Sequence, residues 1–134
     1  MPTWQEIQQY ARSKYKLDDD DADFFSLVWA YDDNRSQKVI VRRFHAFDQD
    51  WLSIRSAVCD ETKLDPKVAL QRNGDFAVGA LALVPQGEGK PLLYIMSHTV
   101  PLKDMDLDEF ELPLHVIANT ADNLEQTYAG QDHF

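Results

Sequence analysis

Cysteine is almost missing from this chain. Cys59 is the only one in 134 residues, so neither an intramolecular disulfide nor a cysteine-rich zinc site is available. Positive charge is also scarce. Thirteen Lys and Arg face 23 Asp and Glu, a net charge of −10. That balance argues against a nucleic-acid partner, because phosphate binding needs clustered cations, and it disfavours anionic membrane surfaces. No apolar run approaches the ~20 residues that span a bilayer. The opening MPTWQEIQQY has no basic or apolar signal segment, so a cytoplasmic protein is expected. Gly74, Gly79, Gly87 and Gly89 fit neither GxGxxG nor GxxxxGK, which removes the common phosphate loops.

What remains is a chain able to fold. An apolar fraction of 44% with 7 Phe, 3 Trp and 5 Tyr excludes disorder, and the length fits one domain over residues 1–134. The longest ordered signal runs from Asp106 to Gly130. Phe110, Leu114, Ile117, Ala118, Ala121, Leu124 and Tyr128 recur at helical steps behind an Asp106–Glu109 capping box, with Gly130 placed to end the helix. Pro113 predicts a kink or a restart inside it. Thr3 and Glu6 repeat the box ahead of Trp4, Ile7, Tyr10 and Ala11, predicting a first helix over Thr3–Tyr15.

Between the helices the pattern turns to strands. The acidic run Asp18–Asp23 reads as a solvated loop, because it lacks the alternating ligands, central Gly and late Glu of a common calcium loop. Phe24–Tyr31 alternates in two registers, Phe25, Leu27, Trp29 and Tyr31 against Phe24, Ser26, Val28 and Ala30. A turn at Asp33–Asn34, a strand over Lys38–His45, a turn at Asp48–Asp50 and a strand over Trp51–Cys59 complete a meander. Asp65 and Pro66 open a short helix that Asn73–Gly74 closes. Asp75–Val84 and Pro91–Val100 then read as a hairpin, with a weak point at Gly79.

The order α-β-β-β-α-β-β-α predicts an α+β fold: a five-stranded antiparallel sheet with two main helices on one face. The first and fourth strands are apolar in both registers, so the second sheet face needs a cover. The middle helix, a second subunit or a bound protein segment would each supply one, and a homodimer is favoured. Phe25, Leu27 and Trp29 are expected as aromatic and aliphatic anchors of a dimer or partner interface, joined by Val68, Phe76 and Val78.

This order resembles the class I type III secretion chaperones (the Tir-chaperone family) and the related YbjN-type proteins. The likeness is carried by DWLSIRSAV (Asp50–Val58), the hairpin strands DFAVGALAL and PLLYIMSHTV, and the closing ELPLHVIANTADNLEQ with Ala121-Asp122. The resemblance implies a heart-shaped, non-catalytic homodimer that binds an extended partner segment along apolar grooves and exposed sheet edges. Pro113 and the aspartate run depart from that pattern.

Residues for catalysis are sparse. His45, His98, His115 and His133 form no metal-ligand spacing. His115 is placed for an i, i+4 surface pair with Glu111, and His98 shares a strand face with Tyr94 and Met96. Asp60 and Glu61 beside Cys59 raise a thiol pKa rather than lower it. Arg42 and Arg43 either clamp a partner's carboxylate or pair with nearby aspartates. The leading reading is therefore a protein-binding module, chaperone- or adaptor-like, with no cofactor. The competing one is a small α+β enzyme in which Tyr94, His98 and His115 meet between the sheet and the last helix. A regulatory module with the same fold is a third.

Overall fold

The computed structural model describes residues 3–31, 34–103 and 105–129. The first helix, α1, covers Trp4–Lys14, and the Thr3 hydroxyl caps it by accepting from the Glu6 backbone N–H at 3.2 Å. Six strands follow: β1 Leu17–Asp20, β2 Phe24–Ala30, β3 Ser36–Ala46, β4 Gln49–Asp60, β5 Ala80–Val84 and β6 Leu93–Pro101. The second helix, α2, covers Pro66–Asn73 between β4 and β5, and α3, Leu107–Tyr128, closes the fold. All neighbouring strands run antiparallel in the order β1-β2-β3-β4-β6-β5. The architecture is α+β.

The sheet has six strands where five were expected. The extra one, β1, is the first half of the acidic run that reads as a loop. Its carboxylates are held individually. Lys38 reaches Asp18 at 3.1 Å and Asp19 at 2.9 Å, while Arg12 reaches Asp20 at 2.7 Å. The Ser26 hydroxyl donates to Asp19 at 2.6 Å, and the Gln8 amide donates to Asp20 at 2.7 Å. Partners from α1, β2 and β3 offset the mutual repulsion that would keep an isolated aspartate run off a sheet edge. No local sequence window contains them.

The fourth predicted strand is shorter than expected, starting at Ala80 rather than Asp75. Gly79 sits at φ +77°, and a Cβ there would lie 2.5 Å from Ile117 Cδ1 and 2.9 Å from the Ser97 carbonyl. Only glycine fits such a left-handed residue pressed against a helix. Asn73 then brackets Leu81, accepting from its N–H at 2.6 Å and donating to its carbonyl at 3.2 Å. The β3–β4 hairpin turns through two consecutive left-handed residues, Phe47 and Asp48, the backbone of a tight primed turn.

The Asp106–Glu109 capping box forms as expected. Pro113 neither ends nor restarts α3, which runs unbroken through it. Asp33, expected in a turn, Gly130, expected to end the last helix, and His133 lie outside the described residues. One stripe of α3, comprising Phe110, Leu114, Ile117, Ala118, Ala121 and Leu124, packs on the sheet row Phe25–Val41–Ile54 and its neighbours Val39, Leu52 and Met96. Trp4, Ile7 and Ala11 of α1 join the same core. Each Leu, Ile, Val, Met and Phe among these core side chains contributes about 1.5–3 kcal/mol on burial.

Candidate interaction surface

Because side chains alternate across a pleated sheet, the row next to the core row points the other way. In register, Ile40 of β3 lies between Ser26 of β2 and Arg55 of β4, and Arg55 faces Ser97 of β6. A parallel row sets Ala57 against Ile95 and Ile95 against Ala82. These rows line a depression of about 520 Å³ that reaches from Val28 on β2 to Val84 on β5, with Lys38, Ile40, Arg55 and Ile95 in its bed. Among the described residues no helix lines that depression, and the middle helix contributes no residue to it. Val28 remains 48% exposed and Ile40 38%, while Ile95 is buried without belonging to the main core.

The charges on this face differ in their partners. Lys38 is committed to Asp18 and Asp19, and their hydrogen bonds raise its pKa. The same arrangement lowers that of Asp19, through Ser26 first and Lys38 second. Arg42 lies over the Phe24 ring at 4.7 Å, and Arg43 pairs with Asp23 at 2.7 Å. The two arginines are therefore engaged within the chain. Arg55 is exposed at the centre of the sheet and has no ion pair among the described residues.

The residues singled out from sequence do not gather into one patch. Phe25 and Leu27 are core residues, 0% and 2% exposed, so neither is open to a partner. Trp29 is half-buried, edge-on against His115 at 4.6 Å and beside Tyr15 at 5.5 Å. Val68 on α2, with Phe76 and Val78 on the segment before β5, packs partly buried against the core. The open face is built instead from the opposite register, and its sequence signal was the apolar Val28 beside Leu27 and Ile40 beside Val39.

The groups proposed for catalysis are likewise spread out. Tyr94 and His98 stand four residues apart on β6, about 13 Å along the strand, and His115 packs on Trp29 of β2. Burial lowers the His98 pKa and raises that of Tyr94. Glu111 turns away from His115 to Lys14 at 2.8 Å and also accepts from the Tyr10 hydroxyl, which replaces the expected His115–Glu111 pair. Burial, with Asp60 and Glu125 adding to it, pushes the Cys59 thiol up to about 11. Among the described residues no cluster of His, Cys, Asp or Glu is placed to hold a metal, and no helix is long and apolar enough to cross a membrane.

The sequence matches no protein-family model and no curated protein. Its fold does match a solved one. A chain from the structure of the HopA1–SchA chaperone–effector complex superposes with a TM-score of 0.60 at 11% identity, over 90% of this chain and 90% of that one. The chain has a type III secretion chaperone-like fold.

Proposed function

We propose that this chain is a non-enzymatic, chaperone- or adaptor-like binding module that works in the cytoplasm as a homodimer and holds a segment of another protein. The observation that carries this reading is the open sheet face with Val28, Ile40 and Ile95 in it, in a fold shared with a chain of a chaperone–effector complex. Covering Val28 and Ile40, 48% and 38% exposed, with an apolar partner surface is favourable. The dimer contact is assigned to α2 and the outer edge of β5. Leu70 is 73% exposed there and Leu83 40%, next to the half-buried Val68, Phe76 and Val78. A strand at the sheet edge also has main-chain groups free to pair across a two-fold axis.

The test is a displayed library of random peptides selected on the purified protein, with an Ile40→Asp variant as the counter-selection. Enriched peptides are expected to raise the melting temperature of the parent in a concentration-dependent way, as mass action requires, and to leave the variant unchanged. A selection that enriches nothing, or enriches equally on both proteins, overturns the reading.

A further inference from the structure

Resting on that binding-module reading, we infer that the open sheet face takes an amphipathic helix that is neutral or basic overall and carries one carboxylate within its aliphatic stripe, received by Arg55. The shape of the depression sets the form of the occupant. It crosses β2, β3, β4, β6 and β5, four inter-strand steps of about 4.8 Å, or ~19 Å in all, which a helix of about 13 residues spans. Backbone groups of the inner strands are already paired along the sheet, so the face offers an occupant no main-chain partner. A helix brings its own backbone bonds with it.

Charge sets the chemistry. Val28, Ile40 and Ile95 supply an apolar bed around Arg55. Covering that bed with a purely aliphatic helix would take an unpaired guanidinium out of water, which is unfavourable unless a carboxylate meets it. The nearby carboxylates Asp18 and Asp19 are already held by Lys38. A second copy of this chain is a poor occupant. A two-fold interface presents the same patch twice, so each copy would bring Arg55 to a face whose nearby carboxylates, Asp18 and Asp19, are already held by Lys38. The net charge of −10 acts in the other direction at longer range. It disfavours the approach of an acidic chain, whereas a seated carboxylate feels chiefly the cation that lies within the screening length of about 8–10 Å, here Arg55. The occupant is thus basic or neutral outside and acidic at one inner position.

The probe is a set of 14-residue helix-forming peptides with a Leu/Ile stripe, basic outer residues and Glu, Gln or Lys at the central stripe position. Binding is read by fluorescence anisotropy on the parent protein and on Arg55→Gln and Arg55→Glu. The Glu peptide is expected to bind the parent about tenfold more tightly than the Gln peptide, lose that advantage on Arg55→Gln, and yield to the Lys peptide on Arg55→Glu. Equal affinity of all three peptides for the parent overturns the inference but leaves the binding-module reading intact. Failure of all three to bind, while the random library yields binders, overturns it in the same way. A change in oligomeric mass on Arg55→Glu would assign the face to a second copy, which also overturns it.

Discussion

Gly79 shows how much can rest on one missing side chain. Its left-handed backbone turns the chain from the Phe76–Val78 segment into β5, and its bare Cα lets Ile117 of α3 pack against the sheet. Gly79→Ala meets both a strained φ and a clash with Ile117 and the Ser97 carbonyl. The expected cost is about 2 kcal/mol or more, read as a lower urea midpoint with an unchanged slope. By contrast, Leu114→Ala leaves the backbone alone and opens a cavity under a fully buried side chain. That variant is expected to lose about 3 kcal/mol, and a loss below 1 kcal/mol would mean α3 is not seated as described. The thiol of Cys59 belongs to the same scale: it is packed in the core, and that burial raises its pKa, so it is expected to react slowly with a thiol reagent until the chain unfolds.

At the scale of elements, two segments have their pH dependence built in. The β1 strand depends on Asp19 and Asp20, whose pKa values are lowered by hydrogen bonds from Ser26 and Lys38 and from Arg12 and Gln8. Their contribution is complete above the unfolded carboxylate value of about 3.9 and is lost as pH falls through the lower folded values. On β6, burial lowers the His98 pKa from its ordinary 6.5. The unfolded chain then takes up a proton before the folded one does, so stability falls as pH drops below about 6.5 and levels off below the folded value. Urea midpoints measured from about pH 7 to about pH 3 are expected to decline in these two windows. His98→Gln should flatten the upper decline, and Lys38→Ala should weaken the lower one. An upper decline that survives His98→Gln would place its source in another group. The third tie between elements is Arg35, which reaches Asp122 at 2.7 Å and Glu125 at 3.8 Å and fastens α3 to the strands.

For the molecule as a whole, the unresolved balance lies between its two sheet faces. One is sealed by α1 and α3, and the other is open from β2 to β5. If α2 and the β5 edge join two copies, light scattering on a dilution series will return about twice 15.4 kDa. Leu70→Asp, which places a charge on a residue 73% exposed, is expected to return the single-chain mass with unchanged circular dichroism. A parent protein that is monomeric throughout the series sinks the dimer, while the open face remains available to a client segment.

Local pattern determined most of the secondary structure. The Asp106–Glu109 capping box, the Thr3 cap of α1, the Asp65–Pro66 helix start and the buried stripe of α3 all stand where the sequence places them, because caps and helical periodicity act within a few residues. The α+β order and the fold resemblance were legible for the same reason. What only the tertiary structure decided depends on residues far apart in the chain. β1 exists because Arg12 and Lys38 neutralise it from either side. β5 starts late because Ile117 and Ser97 close on Gly79. The candidate surface falls in the Val28–Ile40 register rather than the Phe25–Leu27 register. A strand apolar on both sides carries no mark of which side its helices will cover; α1 and α3 settled that by packing on Phe25 and Leu27, and so left Arg55 in the open.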